Sequence, residues 1–234
     1  MTRRELGAGV GIGVAIFLGY GLQTYELQSI DSNASAFLTA LYVPIVPFLQ
    51  WIAFKQRPHA MALVAAGIAF LGLVLLAGPD SFSIGLGAGE IATLLSTLPI
   101  AAEIILIGLF AGRVDLGRVT VVQLLTAGVL GFLAMPVNGE VIPAFSWYWA
   151  LPIIGLAIST FIIQSTMNWA QKTVNPTRAA TIYTGEPVWA GIFGRMAGER
   201  LGALAIIGAA LIVFSTLVSE IKPRPRIGDL KNKE

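Results

Sequence analysis

The residues in this sequence that could do chemistry all lie inside apolar runs. Glu186 and Pro187 stand together in the stretch 175–200, NPTRAATIYTGEPVWAGIFGRMAGER, with Tyr183 three residues earlier on the same helical face. A carboxyl group in hydrocarbon is expensive, so it faces a partner or a water-filled cavity, where it can exchange a proton or hold a solute. Proline removes a backbone donor and strains a helix, so Pro187 is read as a helix break. Glu186 therefore has two readings, pathway chemistry or satisfaction of backbone groups freed by Pro187. Glu103 lies about 15 residues into a second apolar run, roughly 22 Å along at 1.5 Å per residue. Ser96 and Pro99 precede it by seven and four residues and share its face. That face could line a cavity with a proton-titrating carboxyl, or hold a protonated glutamate bonded between helices. Pro44 and Pro99 are read as further helix breaks.

Other polar groups have weaker meanings. Gln23, Gln123 and Gln164 can bond a solute or a neighbouring helix. Interhelical bonds of this kind average about 0.6 kcal/mol, which makes glue the default. Arg178, two turns before Glu186, could guide an anionic solute, or snorkel to the interface as a topology charge. Glu90 is placed favourably at a helix start. Gly7, Gly9, Gly11 and Gly13 give two Gly-x-x-x-Gly spacings, which suit close helix packing and, as a second use, a homodimer contact.

Several classes of function are excluded. There is no cysteine, and the single histidine, His59, lies in the basic turn 55–59, so no metal set can be assembled. The glycines at 85–89 lack a following Lys-Ser/Thr and make no phosphate cradle. No cofactor is implied. A membrane enzyme lacks a His cluster or a Ser–His pair to work with, and a net charge of +2 gives no reason to expect nucleic acid.

The elements that must position these residues are membrane helices. Only 12% of the 234 residues are charged and mean hydropathy is +0.78, against roughly 25% charged in soluble domains. Eight stretches are long enough to cross a bilayer, which takes about 20 apolar residues: 6–27, 34–54, 60–78, 88–112, 119–137, 147–168, 176–196 and 201–219. The first is read as a retained helix, because its apolar run exceeds a signal peptide's h-region. With the N-terminus inside, thirteen of fifteen basic residues fall on the cytoplasmic side and only Arg195 and Arg200 outside. Both termini are then cytoplasmic. Trp147, Tyr148 and Trp149 mark the outer interface, and Trp51 and Trp169 the inner one. The tail 221–234 is polar, basic and proline-broken, suited to lie near anionic lipid.

An internal repeat runs through this order. The helices of 6–78 resemble those of 147–219: a glutamine late in the first (Gln23, Gln164), a proline in the second (Pro44, Pro187), and a Gly/Ala-rich third. One set starts inside and the other outside, so the copies are inverted. Inverted repeats with a site at their interface beside broken helices mark secondary transporters.

The runs AFLTALYVPIVPFL at 36–49, GEIATLLSTLPIAAEIILIGLFAGRVD at 89–115 and RAATIYTGEPVWAGIFG at 178–194 resemble the drug/metabolite transporter superfamily, in its EamA-type branch. The resemblance covers nearly the whole chain and says little about the solute. It implies an all-α, polytopic membrane bundle of inverted five-helix repeats with both termini cytoplasmic. It also implies movement of small metabolites or drugs, often outward, across the bacterial inner membrane. The Glu186-Pro187 pair matches the family pattern, whereas Glu103 stands where members more often have a neutral polar or aromatic residue. The first helix here looks like the family's third. The expected organisation is thus an incomplete first repeat of three helices (1–79), a second of five (80–220) and a tail (221–234). The expected partners are a small-molecule substrate, membrane lipids and a second copy in a homodimer. The alternative reading is a non-transporting membrane assembly or receptor-like protein.

Overall fold

The computed structural model describes residues 1–26, 39, 41–55, 58, 60–77, 88–137, 139–141, 143–186, 188–189, 192, 196 and 202–220. Among them there is no strand. The helices are α1 (Arg3–Glu26), α2 (Tyr42–Phe54), α3 (Ala60–Ala77), α4 (Ala88–Phe110), α5 (Leu116–Ala134), α6 (Trp147–Ala170), α7 (Pro176–Tyr183) and α8 (Ala203–Glu220). Among the described residues four stretches are long and apolar enough to cross a membrane: Arg3–Tyr25, Ile91–Phe110, Leu116–Ala134 and Trp147–Ala170. Shorter apolar helices cover Tyr42–Phe54, Ala60–Leu75 and Ile206–Val218.

Local chemistry sets where the later helices begin. Asp115 and Asn175 each accept a hydrogen bond, at 3.0 Å, from the backbone N–H of the arginine three residues on, Arg118 and Arg178. Each satisfies one of the donors that a helix start leaves unpaired. Pro176 follows Asn175 at the first position of α7, where its missing N–H costs nothing. Ser146 does the same work for α6 through the N–H of Tyr148.

Two of the proline readings change here. Pro44 sits in the first turn of α2, where its N–H would be unpaired in any case, and the helix continues through Pro47 as well. α4 runs unbroken through Pro99, since a membrane helix tolerates one lost bond when neighbours and local adjustment absorb it. The expected span 176–196 does divide, in the turn of helix that precedes its proline. α7 ends at Tyr183, Thr184 and Gly185 form a turn, and Glu186, Val188 and Trp189 are helical again. Pro187, His59 and the tail 221–234 lie outside the described residues.

The most extensive helix contacts join elements far apart in the chain. α1 packs on α4 and α5, α3 packs on α8, and α2 bridges α4 and α7. Each junction has a small apolar core. Ala8, Ile12 and Ile16 meet Ile107 and Val119; Val43 meets Ala66, Ala69, Leu73 and Ile212; and Val46 meets Ala101, Ile104, Ile105, Ala179 and Ala180. Glycine permits the closest approaches. A Cβ on Gly13 would lie 2.5 Å from the backbone oxygen of Gln123, and one on Gly9 2.5 Å from Cβ of Val122. Gly7 and Gly11 face open space, so of the interleaved glycine pairs it is Gly9 and Gly13 that fit α1 against α5.

α6 is covered along only part of its length. Its C-terminal half buries Gln164 and Asn168 against its neighbours. Residues 151–159 are exposed on every side, through more than two full turns.

Candidate functional site

Glu103 is 7% exposed and faces inward from α4. Its Oε1 accepts a hydrogen bond from Nε2 of Gln164 on α6, at 2.9 Å. Oε1 of Gln164 accepts from Nε2 of Gln123 on α5, also at 2.9 Å. Oε1 of Gln123 accepts from Nδ2 of Asn168 at 3.2 Å, and the same nitrogen donates to Oγ1 of Thr120 at 2.8 Å. All five side chains are buried. Every amide in this chain donates toward Glu103, so the dipoles add along one direction and converge on the carboxyl. An amide chain of this kind polarises and positions the carboxyl but does not carry protons.

Three tyrosines lie within electrostatic reach of one or both carboxyls. The hydroxyl of Tyr20, on α1, lies beside Gln164 and within electrostatic reach of both Glu103 and Glu186. Tyr42 is within reach of Glu186 and Tyr183, and Tyr183 is within reach of Glu103. Tyr42 and Tyr183 both pack on the core that contains Ile104, the residue after Glu103. Tyr183 accepts a hydrogen bond from Nε2 of Gln171 at 3.2 Å. Glu186 itself is exposed, beyond the turn that ends α7. Tyr20 thus lies within electrostatic reach of both a buried carboxyl, Glu103, and an exposed one, Glu186.

The bundle end that carries Glu5, Arg118 and Lys172 is pinned by side chains. Oε1 of Gln50, on α2, accepts from both N and Oγ1 of Thr177 at 2.8 and 2.7 Å, fastening α2 to the start of α7. Glu5 and Arg118 lie 3.5 Å apart and tie α1 to α5. Gly108 of α4 lies so close to Pro176 that a Cβ would approach its ring to 2.7 Å.

Some expected site residues fall elsewhere. Ser96 is fully buried, but its hydroxyl donates to the carbonyl of Thr93 at 2.7 Å within its own helix and does not reach Glu103. Gln23 is half-buried and donates to Oγ1 of Thr39 at 3.5 Å, whereas Gln164, its counterpart in the repeat, bonds Glu103 and Gln123. Arg178 sits in the first turn of α7, its backbone N–H engaged by Asn175. Sequence reasoning passed over Gln50, Thr120, Asn168, Gln171 and Thr177. One signal was available: Gln164, Asn168 and Gln171 stand at i, i+4 and i+7 in an apolar helix, a polar stripe on one face.

Comparison with known proteins decides the family. The profile of the EamA-like transporter family matches residues 2–78 and 87–220, most of the chain. The chain belongs to the EamA-like transporter family. Within that family it is 26% identical over 225 residues to an uncharacterized transporter of Archaeoglobus fulgidus, covering 92% of this chain and 68% of the relative. Its fold is similar to that of a protein known from a crystal structure, with a TM-score of 0.74 at 18% identity, over 94% of this chain and 76% of the other. This EamA-family chain is a multi-pass membrane protein of a transporter class, which is not a class of enzymes.

Proposed function

We propose that this EamA-family protein is a secondary transporter that moves a small organic solute, a metabolite or drug, by alternating access. The direction is outward, across the cell inner membrane, with both termini cytoplasmic. The observation that carries the reading is the buried Glu103 at the junction of α4, α5 and α6, held by the amide chain, with Tyr20 within electrostatic reach of both Glu103 and Glu186. A carboxyl kept at that depth in a transporter family is a site for proton or solute exchange. The family match to two segments of the chain, 2–78 and 87–220, supports an inverted-repeat organisation with a shorter first repeat.

The test is transport in proteoliposomes by the full chain, with Glu103→Gln and Glu186→Gln compared at matched protein level, with and without a pH gradient. Glutamine keeps size and hydrogen-bonding capacity but cannot exchange a proton. Gradient-driven flux should fall in at least one variant while folding is kept. If both variants retain full gradient-dependent flux, neither carboxyl couples transport. One observation favours a second reading, a non-transporting assembly: residues 151–159 of α6 are exposed on every side. Absence of flux for every solute, with a stable hetero-complex isolated from native membranes, would support it.

A further inference from the structure

The first turn of α7 takes one of its hydrogen-bond partners from another helix. A helix start leaves its first backbone donors unpaired. Asn175 answers one of them locally, through the N–H of Arg178, but the N–H of Thr177 donates to Oε1 of Gln50 on α2, at 2.8 Å. The hydroxyl of Thr177 donates to the same oxygen at 2.7 Å. Thr177 is fully buried and Gln50 half-buried, while Lys55 and Lys172, just beyond α2 and α6, are exposed. The same turn closes on α4, where a Cβ on Gly108 would come within 2.7 Å of Pro176. Behind this seal the packing is light. α7 contributes Ala179 and Ala180 to the core it shares with Val46 of α2, and alanines have little apolar surface to lose when helices part. The two bonds to Gln50 lie at a water-facing end, where water can replace them. A contact of this make-up holds two helices together and can still open and reclose.

We propose that the Gln50–Thr177 contact is the latch of a gate. Closed, it seals the end of the bundle that carries Lys172; released, it lets α2 and α7 part and opens the interior to that side. The inference rests on the alternating-access reading and names the residues that hold one of its two closures. Gln50 is a positioning residue, acting through one acceptor oxygen and touching no solute. In the proposed inverted repeat, the register that matches Pro44 with Pro187 pairs Gln50 with Phe193, which has no side-chain acceptor. The latch therefore belongs to one end, and its loss biases the protein toward that side.

The experiment uses the full chain in lipid nanodiscs, where both faces meet the reagent. The chain has no cysteine, so single cysteines report without background. Thr181→Cys lies one turn beyond Thr177 at a fully buried position, and Thr93→Cys, equally buried, lies about 22 Å from Gly108 along α4 and is the remote control. Gln50→Met keeps the length of the side chain without its oxygen. It should speed maleimide modification of Thr181→Cys by about 5- to 10-fold, the worth of roughly one net hydrogen bond, and change Thr93→Cys by less than about twofold. Gln50→Glu keeps the acceptor and puts negative charge at a helix start, where it is favoured, so it should not speed modification. Hydrogen exchange at the Thr177 amide needs no cysteine and should accelerate in Gln50→Met. Thr177→Val, which loses only the hydroxyl, should act in the same direction to a smaller extent, and it carries the test should Gln50→Met not fold. Unchanged rates by both readouts overturn the inference. So does equal acceleration at Thr93→Cys, the mark of a loosened fold, or a Gln50→Glu variant that behaves like Gln50→Met. Flux in a chain whose labelling ignores Gln50 refutes the latch and leaves transport standing. One-sided labelling without flux of any solute refutes transport and leaves the latch standing.

Discussion

Gly13→Ala tests whether α1 is held by close backbone contact. The added Cβ would stand 2.5 Å from the backbone oxygen of Gln123, 2.6 Å from Cβ of Thr126 and 3.1 Å from Cα of Gln123. Ordinary contact begins at 3.4 Å, so α1 or α5 must give by about 1 Å, and the obstacle is backbone that cannot rotate away. Forcing one extra carbon into such a junction costs about 1–3 kcal/mol. Gly11→Ala is the matched control, because nothing lies within 4 Å of its added carbon. Alanine's better helix propensity should make that variant neutral or more stable by up to about 1 kcal/mol. The two variants, identical in composition and two residues apart, should therefore differ by roughly 1–4 kcal/mol. Reversible unfolding of the purified protein in mixed micelles, by titration with a denaturing detergent, measures the difference. Gly9→Ala should fall near Gly13→Ala, since Cβ of Val122 blocks it at 2.5 Å. Equal stability of the Gly11 and Gly13 variants would refute the fitted α1–α5 contact. A Gly11 variant less stable than the Gly13 variant would place the packing on the opposite face.

Gln164→Leu strands the carboxyl of Glu103 and an amide donor of Gln123 together, so it should destabilise by about 1–2 kcal/mol in the same unfolding assay. Thr166→Val, on the exposed face of the same helix, should stay within about 0.5 kcal/mol. Reporter fusions after Asp115 and Thr173 should read cytoplasmic and one after Gly139 external, following the distribution of lysine and arginine, and an internal reading at Gly139 would invert the second half. Two apolar helices patterned on α4 and α5 and fused ahead of Met1 should raise detergent stability by covering α6, and an unchanged melting curve would show that α6 needs no cover.

What the sequence disclosed follows from what each signal depends on. Helices were legible because an apolar run of twenty residues is a local property, and Glu103 because one carboxyl among isoleucines and alanines stands out. Which helices meet is not local. The pairing of Gln164 with Gln123 and Glu103 depends on α4, α5 and α6 converging, and neither glutamine announces its partner. The break in the segment after Pro176 was expected from Pro187, because a proline forfeits the bond to the carbonyl four residues earlier, and α7 does end at that residue, Tyr183. The turn comes at Thr184 and Gly185, where Oγ1 of Thr184 bonds back to the carbonyl of Thr181 at 2.6 Å and glycine follows. Pro44 shows the converse. A residue that breaks a helix from within is neutral in its first turn, and one-residue errors in a helix start change its meaning.

The order of packing sets a schedule for assembly. α1 leaves the ribosome first, but the surface that fits it, around Arg118 and Val122, follows about 113 residues later. At about 5–20 residues per second, α1 waits roughly 6–23 s in the bilayer before that α5 surface exists. α3 waits still longer for α8, because Gly72 closes against Gly208 and Ile212. The family match divides the chain between residues 78 and 87, yet the α1–α4, α1–α5 and α3–α8 contacts all cross that division. A chain cut there should yield two pieces that each insert but neither of which packs until the other is supplied. The segment that recurs in the sequence is not the segment that folds.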